Sequence, residues 1–163
     1  MPYRVLMICM GNICRSPTAH AVLRHKLAQA GLAGEVVVDS AGTHAWHKGE
    51  PPDSRAIRHA RLRGYDLSTL RAKGVVEADF EKFDLILAMD DDNLAVLREK
   101  CPPEHRTKLA RLSEHAVRMR TSTVIPDPYY GGPNGFEHVL DLVEDACDGL
   151  VADLAKRIRP AGR

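Results

Sequence analysis

Residues 4–8, Arg4-Val-Leu-Met-Ile8, make a short run that is apolar without alternation. Such a run predicts a strand buried on both faces. The period then changes: from Pro17 to Ala30 apolar positions recur at helical spacing, with Ser16 as N-cap, Pro17 as the first helical residue and Gly31 as the stop. Val36–Ser40 reads as a second strand, and Ser54–Arg63 as a helix closed by Gly64. Phe83–Ala88 reads as a third strand, followed by a helix over Asn93–Lys100 that breaks at Pro102-Pro103. A weak fourth strand falls at Lys108–Leu112. A long loop through Pro126-Asp-Pro-Tyr-Tyr130 then leads to a final helix over roughly Gly135–Ile158. Strands alternating with helices predict a doubly wound α/β fold, with a parallel sheet and helices on both faces.

Composition narrows the function classes. At 163 residues, 44% hydrophobic and 28% charged, the chain reads as one domain over residues 1–163, with no linker, repeat or low-complexity tract. A formal net charge of +1, with acids interleaved among the arginines, argues against a nucleic-acid footprint. No apolar run is long enough for a membrane span, and the N-terminus does not read as a signal peptide. The expected setting is cytoplasmic, away from membrane.

Four cysteines stand at positions 9, 14, 101 and 147, with neither paired spacing nor the density of a disulfide scaffold. Cys101 and Cys147 read as small buried hydrophobes. His44 and His47 have a spacing that suits a metal, but no second ligand pair follows, so they read as solvated loop histidines and no metal is expected.

The candidate chemistry sits in Cys9-Met-Gly-Asn-Ile-Cys-Arg-Ser16. A Cys six residues before an Arg is a weak signal in a chain with 23 basic residues. Its context strengthens it: the loop leaves the carboxyl end of a buried strand and opens a helix, where doubly wound sheets bind anions. Gly11 and Asn12 tolerate left-handed backbone, which lets the loop curl its N–H groups inward around a phosphate. Met10, Gly11, Asn12, Ile13, Cys14, Arg15 and Ser16 thus form a candidate phosphate cradle, with Arg15 supplying a planar fork of donors. The same positive field favours a Cys9 thiolate, and Ser16 is placed to hydrogen-bond the sulfur.

This loop closely resembles that of the low-molecular-weight protein tyrosine phosphatases. The resemblance continues in Asp39-Ser-Ala-Gly-Thr43, Trp46, Pro51-Pro-Asp53, Ala88-Met-Asp-Asp-Asp-Asn93 and Asp127-Pro-Tyr-Tyr130, in the family's order. It implies a four-stranded parallel sheet and no cofactor. It further implies Cys9 as nucleophile through a phosphocysteine intermediate, Arg15 as clamp on the phosphoryl group, and Asp127 as general acid and then base. The implied loop-shaping network is Asn12, Ser16 and Ser40, although Ser40 reads equally as a strand-end cap. Trp46, Tyr129 and Tyr130 resemble the aromatic walls of the family's cleft, which would admit a flat phenyl phosphate. One departure stands out: family members often carry a histidine after the second helix, yet Ser68-Thr-Leu-Arg-Ala-Lys73 has none, so Thr69 or another group must substitute.

Cys14 has two compatible readings, a redox partner that forms a disulfide with an oxidised Cys9 or a thiol that packs the loop. Implied partners are phosphotyrosine proteins such as a bacterial tyrosine kinase or an exopolysaccharide-assembly protein. Three alternatives remain. An arsenate reductase would need closely spaced extra cysteines, a phosphoarginine phosphatase resembles the family with Thr where Ile13 stands, and a phosphate carrier or phosphopeptide-binding module would need neither Arg15 nor Asp127.

Overall fold

The computed structural model describes residues 2–129 and 131–159. Strand β1 (Tyr3–Cys9) is central, pairing in parallel with β2 (Val36–Gly42) on one side and β3 (Leu85–Ala88) on the other. The short β4 (Leu109–Arg111) adds to β3, giving a four-stranded parallel sheet in the order β2-β1-β3-β4. Parallel neighbours need crossover helices, and these are α1 (Arg15–Gln29), α2 (Ser54–Leu62) with α3 (Glu77–Lys82), and α4 (Asp91–Lys100); α5 (Pro133–Ile158) follows the last strand and packs on α1.

The unalternating run of β1 has a direct cause. Val5 and Met7 point into a core shared with α1 and α5, through residues such as Leu23, Leu27, Phe136 and Val143. Leu6 and Ile8 point the other way, onto Phe80 and Phe83 and the Leu94 and Leu97 face of α4. Both faces are therefore dry, and a polar residue at any of these positions would be stranded.

The expected fold class is the observed one, with shifts at element ends. The short α3 lies in a charged stretch (Glu77-Ala-Asp-Phe-Glu-Lys82) and is held by buried Phe80, a tertiary contact that periodicity over six residues does not reveal. Helix α1 starts at Arg15 with Cys14 in the cap position, so Ser16 is not the N-cap. Its hydroxyl is turned inward and engaged in the loop that precedes the helix. Gly31 and Gly64, both in the left-handed region, stop α1 and α2 as expected.

The topology fixes where a ligand can sit. From β1 the chain crosses one way to β2 and the other way to β3, so the carboxyl end of β1 is a switch point with an open crevice. The loop from Cys9 to Arg15 occupies it. Among the described residues, no helix is long and apolar enough to cross a membrane.

Candidate active site

The loop is held open by its carbonyls. Those of Cys9, Met10 and Ile13 accept hydrogen bonds from the backbone N–H of Thr43 (2.9 Å), His44 (3.0 Å) and Asp53 (2.8 Å). In a trans peptide the N–H points opposite to its carbonyl, so the amides of Met10, Gly11 and Cys14 face away from those anchors. Asn12 takes φ 57°, the left-handed value its side chain tolerates. Gly11 is not left-handed. A Cβ there would lie 3.0 Å from His47 Cδ2, so a side chain at this position would press on the imidazole. Gly42, paired with Cys9 across the sheet, is tighter still: a Cβ would meet Met10 O at 2.7 Å and His44 O at 2.8 Å.

Behind the loop lies a buried chain of polar contacts. Asn12 Nδ2 donates to Ser16 Oγ at 2.7 Å, and that oxygen lies 3.0 Å from the Cys9 sulfur. The other end of Asn12 is fixed by the Lys73 backbone N–H, which donates to Oδ1 at 3.0 Å. The segment without a histidine thus reaches Asn12 through its main chain, and Thr69 is exposed. The Lys73 ammonium also pairs with Asp39 on β2. Ser40 is buried and bonds to His20 Nδ1 at 2.9 Å. Arg24 can only donate, so its contact to His20 Nε2 places the imidazole proton on Nδ1, facing Ser40. Burial, with Arg24 adding to it, pulls the His20 pKa down to about 4, and the ring is neutral at pH 7.

Arg15 is 1% exposed, an unusual place for a guanidinium. It is satisfied by Asp90 Oδ2 at 2.6 Å and the Ile125 carbonyl at 3.0 Å, with Asp127 Oδ2 at 3.7 Å. Asp90, to which the sequence reading gave no role, is thus its chief counter-charge. The other oxygen of Asp90 caps α4 by accepting from Asn93 N at 2.8 Å, and an Asp at the end of a strand and start of a helix is a legible cap signal.

These groups converge on one cleft of about 310 Å³, lined by Cys9, Met10, Gly11, Ile13, Cys14, Arg15, Trp46, His47, Asp127 and Tyr129. Asn12, Ser16 and Ser40 stand behind the lining. Trp46 is 66% exposed and stacks on His44, with ring centroids 4.2 Å apart, so it is rim and not core. Tyr130, the third expected wall residue, lies outside the described residues. His47 is both a cleft residue and an ion-pair partner of Glu50, at 3.0 Å. Cys14 is buried, and burial pushes its thiol pKa up, with the charges of Asp53, Cys9 and Asp127 adding to the effect. Cys101 and Cys147 are buried too, in cores on opposite faces of the sheet, as small hydrophobes would be.

A thiol at the floor of an amide-lined loop, an arginine fork and a carboxyl at the rim, all on an α/β scaffold, leave room for an anion to sit against the sulfur. The profile of the low molecular weight phosphotyrosine protein phosphatases matches residues 4–159. A Streptomyces coelicolor low molecular weight protein-tyrosine-phosphatase is 42% identical over 161 residues, covering 97% of both chains. The crystal structure of a protein tyrosine phosphatase from Entamoeba histolytica, with Hepes in its active site, superposes with a TM-score of 0.92 at 38% identity, covering 96% of this chain and 99% of that one. A Drosophila arginine phosphatase shares the fold at a TM-score of 0.84 and 29% identity, covering 92% of this chain and 96% of that one. The chain belongs to the low molecular weight phosphotyrosine protein phosphatase family, and with it to the phosphoric monoester hydrolases.

Proposed function

We propose that the protein hydrolyses aryl phosphates on phosphotyrosine proteins in two steps centred on Cys9. The observation that carries this reading is the convergence on a single cleft of Cys9 and Arg15, from one loop, and Asp127, more than a hundred residues further along the chain. In the first step the Cys9 thiolate attacks phosphorus, the P–S bond forms, and the P–O bond to the leaving phenol breaks. Phosphoryl transfer passes through a loose state with its charge on the equatorial oxygens, so inward amides and the Arg15 fork do most of the catalysis. The Ser16 hydroxyl accepts from Asn12, which leaves its proton to donate to the sulfur.

Asp127 gives its proton to the leaving oxygen. In the second step it takes one from water, which attacks phosphorus, breaks the P–S bond and restores the thiolate. Its neighbours Pro126 and Pro128 restrict the backbone, and Tyr129 N donates to Asp127 Oδ1 at 3.0 Å. Trp46 and Tyr129 give the cleft apolar walls suited to a flat ring, with Ile13 between floor and wall. That apolar lining favours phosphotyrosine over phosphoarginine.

The test is hydrolysis of an aryl phosphate, with EDTA present, by the wild type, Cys9→Ser and Asp127→Asn. The wild type should turn over, Cys9→Ser should fall to background, and Asp127→Asn should lose about 10²–10³-fold in kcat. Activity surviving in Cys9→Ser would sink the mechanism. Equal rates on phosphotyrosine, phosphoserine and phosphoarginine peptides would sink the specificity. An arsenate-reductase cycle is disfavoured because Cys101 and Cys147 sit in cores separated by the sheet.

Cys14 as redox partner belongs to the same reading. A Cys9 sulfenic acid would condense with the Cys14 thiol, forming the S–S bond and releasing water. Burial keeps Cys14 protonated, so this closure should be slow, because the thiolate is the attacking form. Peroxide treatment followed by mass spectrometry should recover a Cys9–Cys14 cross-linked peptide, and recovery of only sulfinic Cys9 refutes it.

A further inference from the structure

The phosphate loop and the loop that carries Asp127 are far apart in sequence, yet proton donation to a leaving oxygen needs their separation set to a fraction of an ångström. One strut between them is Arg15, which donates to the Ile125 carbonyl on the amino-terminal side of Asp127. A second runs on the other side. Asp53 N donates to the Ile13 carbonyl of the phosphate loop at 2.8 Å. The Asp53 carboxylate accepts from Arg55 Nε at 3.0 Å and Nη2 at 2.9 Å, and the Arg55 fork holds that carboxyl below its usual range. The same Nη2 donates to the Tyr129 carbonyl at 3.0 Å. The guanidinium carbon also lies 5.4 Å from the Tyr129 ring centroid and 4.9 Å from that of Phe136. Tyr129 N in turn holds Asp127 Oδ1.

Arg55 sits in the first turn of α2, where the helix dipole disfavours a cation. A local helix-stabilising role would call for the opposite charge there. What offsets the cost is Asp53, the N-cap of α2, which takes two bonds from the Arg55 fork, together with the contact Arg55 makes across to the acid loop. We infer that Asp53 and Arg55 form a positioning latch that sets Asp127 against the phosphate loop, Arg55 acting through the Tyr129 carbonyl on proton transfer to the leaving group. The inference rests on Asp127 being the general acid.

The experiment compares substrates whose leaving groups differ in their need for a proton. Phenyl phosphate needs one, and 2,4-dinitrophenyl phosphate departs without it. Arg55→Met should lower kcat/KM on phenyl phosphate at least about tenfold, and on the dinitrophenyl ester by less than about twofold. Competitive inhibition by inorganic phosphate should shift by less than about twofold, since the cradle is untouched. Arg55→Lys, which keeps the charge but not the fork, should recover part of the phenyl phosphate loss. The double variant Arg55→Met/Asp127→Asn should lose no more on phenyl phosphate than Asp127→Asn alone. Equal losses on both esters, no loss on either, or additive losses in the double variant overturn the latch. Asp127→Asn separates the two ideas. If it shows no contrast between the esters, the acid assignment falls and takes the latch with it. If it shows the contrast and Arg55→Met does not, the latch alone falls.

Discussion

The two loops that meet in the cleft are built on opposite plans. The phosphate loop runs from a central strand straight into a helix, three of its carbonyls are tied to two neighbouring segments, and its arginine is buried. The acid loop hangs between a short edge region and α5, with Pro126 and Asp127 exposed, and is moored mainly at the carbonyls on either side of Asp127. Charge stabilisation needs donors that do not reorganise as the phosphoryl group moves, which favours a rigid, buried cradle. An acid that must exchange its proton with water needs exposure, and its precision has to be supplied by struts.

This contrast can be broken most forcefully at Arg15. Arg15→Lys keeps the charge but loses the fork that reaches Asp90, the Ile125 carbonyl and a phosphate together. The expected loss is about 10³-fold in kcat/KM, equal for good and poor leaving groups. A loss confined to poor leaving groups would place Arg15 in the acid step instead.

Gly42→Ala tests the rigidity of the cradle from its edge. The added methyl would lie within 2.8 Å of two backbone oxygens, Met10 O at 2.7 Å and His44 O at 2.8 Å. The loop must shift, which should cost about 1–3 kcal/mol in urea unfolding and at least about tenfold in kcat/KM. An unperturbed inhibition constant for phosphate would show that the loop is softer than its hydrogen bonds suggest.

The buried side of the cradle should also show in a pH profile. His20, held among Ser40, Arg24, Asp39 and Lys73, is neutral in the fold with a pKa of about 4, against 6.5 ordinarily. The unfolded chain takes up that proton first, so stability is complete above about pH 6.5 and is lost as pH falls towards 4. His20 alone should account for roughly 2 kcal/mol of the fall between pH 7 and pH 5, measured by urea unfolding, and His20→Gln should flatten that slope. An unchanged slope would mean that the imidazole titrates alike in the folded and unfolded chain.

The smallest effect is expected beside the acid loop. Gly135 lies in the first turn of α5, and a methyl there would meet Pro128 at an ordinary 3.5 Å. Gly135→Ala should raise stability by about 0.5–1 kcal/mol and leave turnover of phenyl phosphate, which needs the acid, unchanged. A fall in that turnover would show that the acid loop tolerates less than its exposure implies.

How much could be read beforehand differs between the same two loops. The cradle is contiguous, so Cys9, Asn12 and Arg15 and the strand and helix on either side were legible from residue type and period alone. Asn12 takes the left-handed turn that its side chain permits. Gly11 was assigned the same reason and turned out to have another, since its missing side chain makes room for His47, a neighbour that local reasoning cannot see. Ser16 looked like a cap because Ser before Pro often is one, but the pull of the Asn12 amide and the Cys9 sulfur set its rotamer instead. Asp127 was placed by family resemblance, while Asp90, Arg55 and His20 received no role because Arg15, the Tyr129 carbonyl and Ser40, the contacts that give them one, lie in other segments.

Local chemistry in the sequence determined the class of the fold and marked the loop from Cys9 to Arg15, because a strand, a turn and a helix start are set by near neighbours. The tertiary structure decided what restrains that loop and what faces it. It put the Lys73 amide on Asn12, Asp90 against Arg15, and Asp53 with Arg55 between the two loops. Such contacts arise only when segments remote in sequence pack on one sheet, and no local pattern encodes the distance between them.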